Sequence, residues 1–248
     1  MRCIYCQNSP WSWGGKGEDV SVDRLAEIMR GLAVDDRCAN WNLVSPTPYL
    51  PSIREAARML SAEGVRLPFV WNSSGYESVE TLEEYSDLLD MALFDLRYST
   101  DESAVRYSAA PGYVAAAHAA LKWAWCNRGV LDTDEPGLAR RGVICRLLVL
   151  PGLAAEAVEN LAWIAENIST DLHVAVMSQY TPAFEGKASP PFDRALMEDE
   201  YSLVAEAAEA LGFENGWIQG FGAAVPSELL GERMSPGHGT VGGNSPNC

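Results

Sequence analysis

Two cysteines three residues apart open the chain, in Cys3-Ile4-Tyr5-Cys6. That spacing brings two thiolates within reach of one metal ion, or of each other as a disulfide. A zinc site would need a second Cys or His pair, and Cys38, Cys126, Cys145 and Cys248 stand alone. A thioredoxin-like exchange site would need a strand ahead of the pair, where the sequence has only Met1-Arg2. The bland alternative is an N-terminal end with two incidental thiols. Spacing leaves all three open.

A second set of residues shares a position rather than a spacing. Ser45 and Thr47, Asn72 with Ser73 and Ser74, Asp95 with Arg97, Arg146, and Ser178 with Gln179 fall in or just after short apolar runs. If those runs are parallel strands, their C-terminal ends line one site and these side chains converge on one ligand. Strand ends are also polar simply because they meet solvent. Arg146 carries the most weight, because it interrupts an apolar strand where an unpaired charge is costly. His118 falls in a helical run, His173 opens a strand and His238 lies near the C-terminus, so no histidine pair or Ser-His-Asp set is legible. Gly14-Gly15-Lys16-Gly17 lacks the preceding strand of a phosphate loop. Trp11, Trp13, Trp123 and Trp125 read as packing residues, and the acidic residues 132–135 as a solvated turn.

The elements that must position these groups follow from periodicity. Apolar residues at helical spacing predict helices over residues 21–33, 50–62, 78–89, 113–125, 156–166 and 198–211. In the first, Val22, Leu25, Ile28 and Met29 share the apolar face. Short apolar runs at 40–44, 69–71, 91–94, 143–150, 173–177 and 217–219 predict strands. Such alternation means βαβ units, a parallel sheet and the α/β class, and six strands at this spacing suit a barrel or partial barrel. Residues 98–142 leave room for two helices and a loop. One barrel domain over residues 1–221 is expected, followed by a poorly ordered Gly/Pro/Ser-rich tail over 222–248.

Charge narrows the partners. The 248 residues carry 18 Lys and Arg against 34 Asp and Glu, a formal net charge of −16. With a pI near 4.5, the chain has no basic surface for phosphates or anionic lipid, so neither nucleic acid nor membrane is an expected partner. No apolar stretch reaches the roughly 18 residues of a membrane span, and no apolar signal core follows Met1. Six cysteines are too few for a disulfide-stapled fold. A cytoplasmic protein is expected.

Several segments together resemble a known family. Cys3-Ile4-Tyr5-Cys6-Gln7-Asn8, Asn42-Leu43-Val44-Ser45-Pro46-Thr47 and Asn72-Ser73-Ser74-Gly75-Tyr76-Glu77 are similar to radical S-adenosylmethionine proteins, in the branch related to pyruvate formate-lyase activating enzyme. Asp95-Leu96-Arg97-Tyr98, Arg146 to Gly152, Met177 to Pro182 and Glu214 to Trp217 continue the likeness in the same order, over residues 1–221. The resemblance implies a partial (β/α) barrel and a [4Fe–4S] cluster on three cysteines of a Cys-x-x-x-Cys-x-x-Cys loop. It implies that S-adenosylmethionine is cleaved reductively to a 5′-deoxyadenosyl radical, which abstracts hydrogen from a glycyl radical enzyme or a small molecule. Flavodoxin or ferredoxin is the implied electron donor. Cys3 and Cys6 match the second and third cluster cysteines, and Tyr5 the aromatic between them, near the adenine. Ser45 to Thr47 stands where many relatives have a Gly-Gly-Glu segment that meets the methionine amino group. Asn72, Asp95 and Arg97 match strand-end cofactor contacts, and Arg146 a strand arginine of the same pocket.

The departures are specific. The first cluster cysteine and the first barrel strand would lie ahead of Met1, which leaves three alternatives: an upstream start, a truncated, non-catalytic, cluster-less scaffold that binds a partner, or a site completed by an outside thiolate or a mobile cysteine. Arg97 replaces the expected Lys, keeping charge but changing geometry. Pro48 and Leu147 stand where close relatives often have His.

Overall fold

The computed structural model describes residues 1–134 and 137–222. The expected tail, residues 222–248, therefore lies outside the described residues except for Gly222. The chain begins with a loop and the short helix α1 (Ser9–Ser12), then α2 (Val22–Val34), β1 (Trp41–Val44) and α3 (Leu50–Ala62). There follow β2 (Phe69–Ser73), α4 (Val79–Glu84), β3 (Met91–Asp95), α5 (Asp101–Ser108) and α6 (Tyr113–Arg128). The hairpin β4 (Asp132–Thr133) and β5 (Ala139–Leu148) leads to α7 (Ala154–Asn167), β6 (His173–Met177), α8 (Glu198–Ala210) and β7 (Gly216–Ile218).

Local chemistry sets several of these starts. Ser21, Ser78 and Thr100 each accept a hydrogen bond from the backbone N–H three residues on, capping α2, α4 and α5. The predicted helix over 78–89 breaks in two, because Tyr85 leaves helical geometry and a single 3₁₀ turn, Ser86–Leu88, follows. In α2 the buried residues are Ala26 and Met29, while Ile28 is exposed. The helix is turned so that the Met29 carbonyl accepts the Trp41 indole N–H at 3.0 Å, which carries Ile28 off the expected face.

The strands lie in the order β1-β2-β3-β5-β6-β7, all parallel, with β4 antiparallel to β5 at the side. Neighbours in space are neighbours in the chain, so each parallel connection is one crossover, and every one carries a helix. The hairpin is the departure from six expected strands. The Asp134 carboxylate accepts the Leu138 N–H at 2.9 Å and the Arg140 Nε–H at 2.6 Å, and Asp132 and Thr133 pair with β5 while staying exposed to solvent, as expected of that run. β5 in consequence starts at Ala139, earlier than residue 143.

Residues two apart along a strand point to the same side, and register partners in adjacent strands do too. One side of the sheet, with Trp71, Ala92, Phe94, Val143, Cys145, Leu147 and Val176, is fully buried, and α6 packs there against β3 and β5. The other side, with Asn72, Leu93, Arg146, Ala175 and Met177, is only half-buried. Apolar burial at about 25 cal/mol per Å² makes the first side the stabilising one, and leaves the second free for polar chemistry. Of the tryptophans, Trp123 packs on the core, whereas Trp13 is exposed, with the Arg2 guanidinium 5.3 Å from its ring centre. No helix of the described residues is long and apolar enough to cross a membrane.

Gly142 opens the buried part of β5 with φ +128°, and a Cβ there would sit 2.5 Å from Leu131 Cα and 2.7 Å from Val130 O. Gly142→Ala should lower stability by at least about 1 kcal/mol. In a domain of this size that is a fall of at least about 2 °C in thermal unfolding; an unchanged midpoint would refute the close approach.

Candidate functional site

The N-terminal loop is held at the C-terminal ends of the strands by backbone bonds at both sides. Arg2 N donates to Ser108 O at 2.6 Å and Ile4 N to Tyr107 O at 2.9 Å, at the end of α5. Gly186 N donates to Ile4 O at 2.6 Å from the opposite side. Between these clamps Cys3 is buried and Cys6 half-buried, with Cys6 N bonded back to Cys3 O at 3.2 Å. The Cys-x-x-Cys pair thus forms a turn held by backbone bonds on both sides. Tyr5, between the cysteines, stacks on Phe192 at 5.0 Å between ring centres and meets Tyr180 edge-on.

Polar groups converge on this loop from the strand ends. Asp95, the last residue of β3, accepts from Arg97 Nη2 at 2.6 Å on one oxygen and from Arg146 Nε at 2.7 Å on the other. Arg146 also donates from Nη2 to Asn72 Oδ1 at 2.7 Å. Arg97 reaches the other way, with Nη1 3.5 Å from Cys3 Sγ. A second donor, the Ser108 hydroxyl, stands 3.0 Å from the same sulfur. Behind Ser108 the hydroxyls of Tyr98 and Tyr5 continue in line, each 2.6 Å from the next. Asn72, Asp95, Arg97, Arg146 and Cys3 therefore form one connected group across β2, β3, β5 and the N-terminal loop.

Burial works against the charge on Arg97, but Asp95, Cys3 and the tyrosines around it outweigh burial and hold the guanidinium well above its ordinary range. Burial also pushes the Tyr5 hydroxyl up to about 12 and raises the Cys6 thiol. Arg97 Nε–H is buried with no hydrogen-bond partner among the described residues. An orphaned charged donor beside a thiol turn is a position that a ligand acceptor would satisfy.

The other sequence candidates divide. Ser45 adopts a left-handed φ of +52° and joins the group only through its backbone, Ser45 N donating to Asn72 O at 2.8 Å. Thr47 donates its hydroxyl to Glu77 Oε2 at 2.7 Å. Ser178 turns to Gly220 O and Gln179 to Met177 Sδ, so neither joins the Asp95 group. His118 stacks on Trp163 at 3.5 Å between ring centres and is a packing residue. Two clefts, of about 460 Å³ around Arg54 and Phe69 and about 580 Å³ along β1 beside Leu25 and Tyr49, contain neither Cys3 nor Asp95.

Sequence reasoning missed Ser108, Tyr98 and Tyr113 as members of this group, and Glu77 as the partner of Thr47 beside it. Tyr113 Oη accepts the Arg97 backbone N–H at 3.0 Å and donates to Ser74 O at 3.0 Å, locking the turn after β3. Gly75 is required there: its φ is +76° and a Cβ would lie 2.5 Å from Asp95 O. Only Glu77 had a local signal, a carboxylate just past that glycine.

No known family's sequence profile matches the chain. The chain is similar to an uncharacterized protein of Methanocaldococcus jannaschii, at 27% identity over 219 residues that cover 84% of this chain and 59% of that protein. The matched region thus spans about three-fifths of the relative's length.

Two outcomes follow from this geometry. Asp95→Ala leaves two guanidinium groups facing each other, and removing one partner of a buried ion pair costs about 3–5 kcal/mol. Both arginine side chains are 24% exposed, so a loss near 3 kcal/mol in denaturant unfolding is expected, and a loss under about 1 would show the pairs to be incidental. Glu77 is held above the usual carboxylate value of 4.5, first by burial, so the stability it contributes is present below that pH and is lost as pH rises through its folded value. The difference in melting temperature between Glu77→Gln and the parent chain should therefore move in the variant's favour between about pH 4 and pH 7. No such trend would mean that Glu77 is solvated.

Proposed function

We propose that the protein is a radical S-adenosylmethionine enzyme of partial (β/α) barrel type, similar to glycyl-radical activating enzymes. The observation that carries this reading is the meeting of the Cys3–Cys6 turn with Arg97 and, through Asp95, with Arg146 and Asn72. Those residues were singled out separately, from a cysteine spacing and from strand-end positions, and a cluster-and-nucleotide site requires both sets together. Consecutive parallel strands with a half-open polar side support the barrel type.

The chemistry of the donor set fits the cluster in kind. Cys3 and Cys6 would hold two iron corners, with Arg97 and Ser108 donating to the Cys3 sulfur as partners of metal-bound thiolates do. Among the described residues no group of three or more His, Cys, Asp or Glu side chains gathers, so the third thiolate has to come from outside them. When bound, such a cluster supplies the electron that splits S-adenosylmethionine to a 5′-deoxyadenosyl radical.

The chain's own residues have separate tasks. Tyr5, Tyr107, Tyr180 and Phe192 wall the turn with aromatic faces and exclude water from it. Arg97, with its free Nε–H, offers a charged donor to an anionic or carbonyl group of the ligand. Asp95 fixes both guanidinium groups so that binding requires no reorganisation. The radical acceptor is a glycyl radical enzyme or a small molecule, and the electron donor a flavodoxin or ferredoxin.

Anaerobic reconstitution with iron and sulfide tests the reading, on the chain as it stands and on one extended upstream to supply the third cysteine. About four irons per chain, an EPR signal altered by S-adenosylmethionine, and 5′-deoxyadenosine under reducing conditions are expected of the extended chain. Cys3→Ala or Cys6→Ala should abolish all three. Neither iron nor 5′-deoxyadenosine in the extended chain would overturn the reading.

A further inference from the structure

The cleft of about 460 Å³ lies at the N-terminal ends of the first three parallel strands, where Trp41 opens β1, Phe69 opens β2 and Asp90 precedes β3. The Cys3 turn and Asp95 are at the opposite ends, the length of β3 or about 15 Å away. One face of α3 lines the cleft: Arg54, Ala57, Arg58 and Ser61 recur at helical spacing and all border it. Arg66 joins them from the loop before β2, and Val65, Leu67 and Phe69 add an apolar wall.

The whole chain has 34 acidic residues against 18 basic ones. This cleft reverses that balance, with three arginines against two aspartates, and both aspartates are engaged. Asp87 Oδ1 accepts from Arg54 Nη2 at 2.7 Å, and Asp90 Oδ2 accepts the Phe69 backbone N–H at 2.8 Å. Arg54 also donates to the Glu84 carbonyl and lies 3.9 Å from the Tyr85 ring centre. Its Nε–H is nevertheless buried with no hydrogen-bond partner among the described residues. Arg66 donates to the Ser61 hydroxyl rather than to a carboxylate, which leaves the hydroxyl hydrogen for a ligand. Arg58 meets Glu55 at 3.5 Å, but both side chains are more than half exposed, so that contact neutralises little. Arg54 and Arg58 stand one turn apart, where like charges repel until an anion lies between them.

The donors select the anion. One guanidinium fork satisfies the two oxygens of a carboxylate. Guanidinium groups from two separate segments, with a hydroxyl beside them, suit an oxyanion with three terminal oxygens. The apolar wall suits a ring or a short hydrocarbon attached to it. We propose that this cleft binds an organic phosphate monoester, with the phosphate among Arg54, Arg58 and Arg66 and the apolar body against Leu67 and Phe69. It is a second site, remote from the thiol turn, and it does not depend on the radical S-adenosylmethionine reading.

Titration calorimetry on the full chain tests this with phenyl phosphate, inorganic phosphate and benzoate. Phenyl phosphate should bind at least about fivefold more tightly than inorganic phosphate, which lacks the ring, and than benzoate, which lacks the third oxygen. Arg58 and Arg66 are exposed, so their substitution leaves the core untouched. Arg58→Gln and Arg66→Gln should each lose at least about fivefold in affinity for phenyl phosphate. Arg24→Gln, at an exposed position on α2 outside the cleft, should lose none. A parent chain that does not bind phenyl phosphate at millimolar concentration overturns the inference. So does equal affinity for inorganic phosphate or benzoate, an unchanged affinity in Arg58→Gln and Arg66→Gln, or an equal loss in Arg24→Gln, which would mark a diffuse charge effect rather than a cleft.

Discussion

Asp95 is the group on which the strand-end site depends. It closes β3 in the middle of the sheet, and its two carboxylate oxygens are each taken by a different arginine. One arginine belongs to the next strand of the sheet, the other to its own following turn, so a single carboxylate joins the sheet to the N-terminal loop. A carboxylate with two guanidinium partners leaves one positive charge in excess. Its direction is set by Arg97, toward the Cys3 sulfur. In a half-buried setting such a charge acts more strongly than it would in water, since the effective dielectric is lower.

The fold makes this possible by giving the two sides of the sheet different work. The helix-covered side is closed by Trp71, Phe94 and Leu147, and contributes most of the apolar stabilisation. The strands can then carry Asn72, Asp95 and Arg146 on the opposite side at alternate positions. Neither task compromises the other because the side-chain period of a strand is two. The interruption of β5 by Arg146 is the clearest case: its neighbours Cys145 and Leu147 are fully buried, and the arginine between them points to the polar side.

Much of this was legible from the sequence, and the reason is local. Six strand positions and the long helices follow from periodicity over windows of ten residues or so, and the second helix between residues 98 and 142 from the length of that interval alone. Asp95, Arg97 and Arg146 stood out because charges ended or broke apolar runs. What escaped notice depends on contacts made far along the chain. Ser108 meets a sulfur 105 residues away and Tyr98 meets Tyr5 across 93, and nothing within one helical turn marks either. The exposure of Ile28 was missed for a like reason: α2 is rotated by a hydrogen bond to Trp41, which periodicity cannot register. The β4–β5 hairpin is closed at Asp134, whose carboxylate and backbone both bond across it, in a run that otherwise reads as solvent-facing.

The hydroxyl line behind Cys3 has a direction. Each hydroxyl owns one hydrogen, so Ser108, in donating to the sulfur, must accept from Tyr98, and Tyr98 in turn from Tyr5. All three dipoles then point at the sulfur and polarise one another. The arrangement behaves as a single polarised wire with one end on Cys3. A change at the sulfur that made it a donor would reverse all three hydroxyls in concert, so Tyr5 would report the protonation of an atom its own ring oxygen does not touch.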